Sequence, residues 1–287
     1  MIFKILTTTL VALMLWVLPA NADAPKEDKK LQIVYVEWDC ATASSNLAKA
    51  VLEDKLGYKV ELLPVTAPIL WTSLASGDAD AMVTAWLPYT HAEMYTKVKD
   101  KVDVLGKITN GARLGLAVPD YVPITSVEQL DENAKKFKGR IVGIDPGAGI
   151  MGLTEKMLKD YGVKKMQIME GSGSIMTSSL ADAIRKKEWI VVTAWSPHWM
   201  FGRWKLHYLD DPKGSLGKEE GIFSVARKGL KEDHPAAWSF LSKFHYENVA
   251  QLQNLMSWNQ KKGAAPLKNA RRFMQENPAL VESWLSK

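Results

Sequence analysis

A five-residue phrase occurs twice in this chain, as Thr84-Ala85-Trp86-Leu87-Pro88 and as Thr193-Ala194-Trp195-Ser196-Pro197, 109 residues apart. Each copy follows an apolar run, Ala81-Met82-Val83 in one case and Ile190-Val191-Val192 in the other. Runs of this kind predict buried strands. Each run follows a helical stretch with shared wording, Ser73-Leu74-Ala75 before the first and Ser179-Leu180-Ala181 before the second. The duplication predicts two similar α/β lobes, each presenting a tryptophan where a strand ends and a Pro-containing turn begins. Open α/β sheets place ligands at the carboxyl ends of their strands. Two such ends facing each other would make a cleft lined by indole faces.

The rest of the chain fits that plan. Leu31 to Val36 reads as a strand ending at Glu37-Trp38-Asp39, followed by a helix over 43–56 closed by Gly57. Tyr58 to Leu63 is a strand, 69–76 a short helix, 81–85 a third strand and 88–99 helical. Leu114 to Val118 is an apolar run that stops at Pro119. A second unit opens with a helix over 126–135 and a strand from Arg140 to Ile144. A helix over roughly 150–161, a strand at 166–169, a helix at 175–187 and a strand at 190–194 follow. Leu206 to Leu216 reads as a loop, Gly221 to Arg227 as a strand and Lys231 to Lys287 as mostly helical. Such alternation argues for mostly parallel sheets with crossover helices. The predicted architecture is a two-lobed α/β clamshell with the ligand between the lobes. Lobe I is 31–115 plus 222–287, lobe II is 119–210, and hinge crossings fall near 114–119 and 209–226.

At 287 residues the chain is long enough for two domains. Its formal charge of +5 is spread without a Lys/Arg block beyond two or three residues, which suits a solvated surface and not a nucleic-acid partner. The first 22 residues carry Lys4, an apolar stretch from Ile5 to Pro19, and Ala20-Asn21-Ala22. This predicts a secretory signal peptide cleaved after Ala22, a mobile charged leader from Asp23 to Lys30, and a periplasmic product. The sole cysteine, Cys40, cannot form an internal disulfide and reads as a buried small residue or an incidental thiol.

The sequence lacks H-E-x-x-H, G-x-S-x-G, P-loop and C-x-x-C patterns, and its five histidines form no i, i+4 ligand pair. The expectation is a binding protein without catalytic residues, metal or cofactor. Gly147-Ala148-Gly149-Ile150 joins a predicted strand to a helix start, where free amides can hold an anion. Trp38 ends the equivalent strand of the first lobe, so Trp38, Trp86 and Trp195 all fall at strand ends. Trp71, Trp189, Trp199, Trp204, Trp238, Trp258 and Trp284 are given packing roles. His91, five residues after Trp86, falls near the cleft. Indole faces suit a cation that cannot donate hydrogen bonds, and convergent N–H groups suit a carboxylate. Glycine betaine meets both demands.

The chain resembles the glycine betaine-binding proteins of osmoprotectant ABC importers over nearly its whole mature length. The resemblance is carried by Tyr35-Val36-Glu37-Trp38-Asp39, Ser76-Gly77-Asp78-Ala79-Asp80 and Ala85-Trp86-Leu87-Pro88-Tyr89-Thr90-His91. It continues through Gly143-Ile144-Asp145-Pro146-Gly147-Ala148-Gly149-Ile150-Met151 and Trp195-Ser196-Pro197-His198-Trp199-Met200-Phe201. It implies a type II periplasmic-binding-protein fold. It also implies that Trp38, Trp86 and Trp195 box a trimethylammonium group while the amides of Gly149 and Ile150, with His91, hold the carboxylate. The implied partner is an ABC permease in the inner membrane, and the implied state is a monomer. Some relatives are circularly permuted, with the Gly-Ala-Gly-Ile lobe first; here the Trp38 lobe leads. Choline, carnitine or another betaine is the competing ligand set, and sensing the competing role. A choline site would not need the amide nest. An enzyme acting on quaternary amines would need an acid, base, metal or cofactor that the sequence does not supply.

Overall fold

The computed structural model describes residues 29–286, so the expected signal peptide over 1–22 and most of the charged leader lie outside the described residues. The chain opens with a β-α-β-α-β module: β1 (Lys30–Tyr35), α1 (Asp39–Leu56), β2 (Lys59–Pro64), α2 (Ala67–Ser76) and β3 (Ala81–Leu87). Gly57 and Gly77, both in the left-handed region, end the two helices with the close turns that a Cβ would strain. After α3 (Ala92–Val98) and a short 3-10 turn comes β4 (Val102–Pro119). A second module repeats the first: β5 (Arg140–Val142), α4 (Gly149–Asp160), β6 (Gln167–Met169), α5 (Gly173–Lys186) and β7 (Val192–Ser196). Then come α6 (Met200–Arg203), β8 (Leu206–Tyr208), β9 (Glu220–Arg227), α7 (Leu230–Asp233), α8 (Pro235–Lys243), α9 (Val249–Asn259), α10 (Pro266–Glu276) and α11 (Pro278–Leu285).

The strands run in the order β2-β1-β3-β9-β4-β7-β5-β6, with β8 beside the carboxyl end of β4. Within each module the pairing is parallel, β1 with β2 and β3, and β5 with β6 and β7. The module orders 2-1-3 and 6-5-7 therefore mirror one another about the two long antiparallel strands between them. Residues 102–112 of β4 pair with β9, and 113–119 pair with β7 and β8. One continuous strand thus serves both halves, and the sheet is mixed where the crossings run through it. All seven residues of β3 are buried, as the apolar run before Trp86 predicts.

Local differences from the sequence reading have local causes. The apolar run Leu114 to Val118 is only the inner end of β4, because Gly106, Asn110 and Gly111 break the hydrophobic signal upstream. The expected helix over 126–135 is a 3-10 turn at Val127–Gln129 followed by further turns. Ser126 and Gln129 cap that turn, and the segment ends with Lys138 and Gly139 at positive φ, which no α-helix admits. Helix α3 starts at Ala92 and not at 88, since the turn after Trp86 occupies the interval, and α1 starts four residues before 43, at Asp39. The loop expected from Leu206 carries β8.

A large apolar core joins the first module to the carboxyl-terminal helices, with Trp71, Phe240, Phe244 and Trp284 fully buried in it. Helices α9 and α10 pack on α1. A smaller core lies under the second module, around Leu116, Val122, Phe137, Ile141 and Met157. Among the described residues no helix is long and apolar enough to cross a membrane.

Candidate functional site

The carboxyl ends of β1, β3, β5 and β7 converge on a small cavity. Its wall contains Trp38, Trp86, Trp195, His91, Gly149 and Ile150, the six residues singled out from sequence, together with Cys40, Thr90, Leu114, Ile144 and Ala148. No side chain in that wall is carboxylic or permanently charged. The three indoles are buried, so their π faces act in a medium where attraction for a cation is weakly screened.

The other end of the cavity is built from donors. Helix α4 begins at Gly149, its N-cap residue is Ala148, and no side chain caps it. Its first amides are therefore left to whatever lies in front of them. Position 149 must be glycine for a packing reason: a Cβ there would stand 2.2 Å from the backbone oxygen of Thr90. This close approach sets the start of α4 against the turn that carries His91.

His91 is fully buried, and its Nδ1 accepts the backbone N–H of Trp86 at 3.2 Å. An imidazole accepting at Nδ1 carries its proton on Nε2 when neutral. Burial holds the ring neutral, with its pKa pushed down to about 3. Nε2 has no hydrogen-bond partner within the protein. The site thus holds a buried, neutral N–H donor without an acceptor, an arrangement that costs free energy until an acceptor arrives. Trp71 packs edge-on against this ring at 5.9 Å, and Trp38 lies 6.0 Å from it.

The turn bearing Thr90 and His91 is anchored by Glu220, the first residue of β9. Its carboxylate accepts the amides of Tyr89 and Thr90 at 2.9 and 3.1 Å and the Thr90 hydroxyl. Burial pushes the Glu220 carboxyl up, against the opposing pull of those hydrogen bonds. Nothing in the sequence near Glu220 signals this task, because the partner lies about 130 residues away. Cys40, read from sequence as a buried small residue or an incidental thiol, is a buried free thiol in the cavity wall. Burial, then the charge of Asp39, pushes it up to about 12, although the Trp195 indole N–H opposes the shift. It contributes a neutral wall.

Two indole N–H groups bond carboxylates on the opposite side of the cavity. Trp38 Nε1 donates to Asp145 Oδ1 at 2.9 Å, and Trp199 Nε1 donates to Asp39 Oδ2 at 2.8 Å. Trp199, given a packing role from sequence, therefore also makes a polar cross-contact. Nothing local in the sequence marks Asp39 or Asp145 for this role. Among the described residues no group of His, Cys, Asp and Glu is gathered as a metal ion would require.

Residues 29–276 match the family described as the substrate binding domain of ABC-type glycine betaine transport system. The glycine betaine/carnitine transport binding protein GbuC of Listeria monocytogenes is 40% identical over 159 residues, 53% of this chain and 52% of that protein. The glycine betaine/proline betaine-binding periplasmic protein of Escherichia coli is 28% identical over 163 residues, 51% of this chain and 49% of that protein. The chain thus spans about half the length of these curated relatives. Among solved structures, lactococcal OpuAC in its closed-liganded conformation with glycine betaine is 37% identical with a TM-score of 0.85, covering 90% of this chain and 100% of that one. The glycine betaine/L-proline-binding protein ProX of Borrelia burgdorferi is 36% identical with a TM-score of 0.86, covering 90% and 97%. A choline-binding protein in complex with choline, 24% identical with a TM-score of 0.85 and covering 91% and 93%, shares the fold. These neighbours are type II periplasmic binding proteins, and the relatives are transport proteins and not enzymes. The chain belongs to the family of substrate-binding domains of ABC-type glycine betaine transport systems.

Proposed function

We propose that this protein binds glycine betaine between two lobes and delivers it to an ABC permease in the inner membrane. It does so as a monomer exported to the periplasm, with its signal peptide removed after Ala22. Lobe I comprises 31–115 plus 222–287 and lobe II 119–210, with crossings near 114–119 and 209–226. Trp38, Trp86 and Trp195 surround the trimethylammonium group. The amides of Gly149 and Ile150 and the Nε2–H of His91 hold the carboxylate.

The observation that carries this reading is the buried His91 Nε2 donor, without a partner, in a cavity walled by three indoles and free of charged side chains. A zwitterion brings its own counter-charge and enters such a cavity with no net charge to desolvate. Choline brings a net positive charge and no acceptor strong enough to repay the donors, so an unpaired ion would be buried at substantial cost. The donor set therefore favours a betaine over choline.

Calorimetric titration of the chain from Asp23 onward with glycine betaine, proline betaine, carnitine and choline tests the proposal. Glycine betaine should bind, and choline should bind more weakly. Choline binding as tightly as glycine betaine would overturn the carboxylate assignment and leave only the cage. Because the ligand touches both lobes, it favours the closed arrangement. Small-angle scattering should therefore show a smaller radius of gyration with ligand than without it.

A further inference from the structure

Asp39 does not line the cavity, yet its carboxylate meets three side chains beside it. It begins α1, directly after Trp38. Its Oδ2 accepts the Trp199 indole N–H at 2.8 Å, and its Oδ1 accepts the Gln260 side-chain amide at 2.6 Å. His198 Nε2 lies 3.3 Å from the same Oδ2, an ion-pair contact outside hydrogen-bond geometry, and the His198 side chain is fully buried. Nδ1 of His198 accepts the Met200 amide at 3.1 Å, which puts the ring proton of the neutral form on Nε2, facing Asp39. The His198 ring in turn meets Trp195 edge-on, with centroids 4.6 Å apart.

These contacts form one chain of support, from Gln260 and Asp39 on the side of the first module to Trp199, His198 and Trp195 on the side of the second. The neighbouring residue makes the reverse cross-contact, Trp38 donating to Asp145. Two consecutive residues thus tie the halves together, one as donor and one as acceptor. Burial alone would push the Asp39 carboxyl up. His198, Trp199 and Gln260 outweigh it and leave the group below its ordinary value, so the carboxylate form is the one held here.

We propose that Asp39 is a positioning residue for binding: it holds the closed arrangement and orients the Trp195 indole through His198, without touching the ligand. This rests on reading the indole-lined cavity as the ligand site. A residue that acts on closure and on one cage wall stabilises every ligand that the cage accepts. Its loss should therefore be independent of what the ligand carries opposite its trimethylammonium group, unlike the loss of His91.

The test uses Asp39→Ala, Asp39→Asn, Trp199→Phe and the double variant Asp39→Ala/Trp199→Phe. Dissociation constants and stopped-flow dissociation rates are measured for glycine betaine and choline. A hydrogen bond to a charged group corresponds to roughly tenfold to a hundredfold in affinity. Asp39→Ala should weaken both ligands by a common factor in that range, expressed as faster dissociation. Asp39→Asn, which keeps an acceptor oxygen, should lose less. Trp199→Phe leaves the charge at the start of α1 in place and should reproduce much of the loss. The double variant should be little worse than Asp39→Ala. An effect through helix capping alone would leave Trp199→Phe unaffected and the two changes additive, which would overturn the proposal, as would a loss confined to one ligand. Melting curves identify a variant that fails to fold, and Trp199→Phe then decides. Should the parent bind neither ligand, the reading of the cavity fails separately. An interlobe distance from paired spin labels then reports the tie itself: a shift toward longer distances in Trp199→Phe supports it, and an unchanged distribution rejects it.

Discussion

The two strand ends that share the Thr-Ala-Trp phrase share more than wording. Both tryptophans enter the cavity wall, and both are followed by a cis X–Pro bond, Leu87–Pro88 and Ser196–Pro197. Both are followed by a fully buried histidine whose Nδ1 accepts a backbone amide, leaving Nε2 to carry the proton. Neither Nε2 has a hydrogen-bond partner of good geometry, and the two diverge in what lies near it. His91, five residues after its tryptophan, has no acceptor within the protein and lines the cavity. His198, three residues after its tryptophan, is 3.3 Å from the Asp39 carboxylate and is absent from the cavity wall. The turn in the first copy is longer, and Glu220 pins it against the start of α4. In the second copy, Trp199 and α6 follow at once and cover the histidine. On the proposed reading, one repeated unit supplies a donor for ligand in one half and a tie between halves in the other. The difference lies in the turn and not in the strand.

The largest effect should come from what the two copies have in common. Each indole in a desolvated cage contributes about 1–2 kcal/mol to a quaternary cation. Trp86→Ala and Trp195→Ala should each weaken glycine betaine at least about tenfold, and Trp38→Ala should do the same. Phe or Tyr in their place should retain part of the affinity. If calorimetry finds all three alanine variants binding like the parent, the shared role of the strand ends is wrong.

A smaller effect should separate the copies. His91→Ala removes a donor to the carboxylate and should weaken glycine betaine more than choline, which has no carboxylate to lose. His198→Ala should weaken the two ligands by one factor. A pair of dissociation constants for each variant decides. Equal ratios for His91→Ala would remove that residue from the carboxylate end and leave the Gly149 and Ile150 amides there alone.

These contrasts also mark how far the sequence can be read. The repeated phrase, the Gly-Ala-Gly-Ile turn and the strand-ending Trp38 led to the α/β modules and to six of the eleven residues in the cavity wall, because strand ends and helix starts are local signals. Residues working over long separations were not legible in the same way. Asp39 bonds residues 160 and 221 positions away, and Glu220 bonds residues 130 and 131 away. An aspartate at a helix start has an adequate local explanation as a favourable charge beside the amides, so nothing in the sequence singles it out. The extent of β4 was obscured for a related reason: its outer half is half-exposed and glycine-broken, and it is held by pairing to β9, a strand more than 100 residues later.

The smallest effect is in the dependence on pH, where the histidine of the first copy makes a signed prediction. His91 is held neutral, with a pKa of about 3 against an ordinary 6.5. Above pH 6.5 neither the folded nor the unfolded chain holds that proton, so the residue contributes no slope. Between there and about pH 3 the unfolded chain takes up a proton that the folded chain refuses. Stability must then fall as pH falls, by at most about 1.4 kcal/mol per unit from this one group. Glu220, whose carboxyl is pushed up, acts with the opposite sign over the upper carboxylate range, so the net slope of the parent is shallower than His91 alone would give. The residue-specific quantity is a difference. Denaturant unfolding of the parent and of His91→Gln at pH 7, 6 and 5 should give a parent that loses stability relative to the variant at each step down. Over the same interval the affinity for glycine betaine should stay nearly flat, because the Nε2–H donor of neutral His91 and the amides of Gly149 and Ile150 do not titrate there. Affinity rising steeply as pH falls from 7 to 5 would mean that a protonated imidazolium grips the ligand. The first copy would then work by charge, and the contrast with His198 beside Asp39 would dissolve.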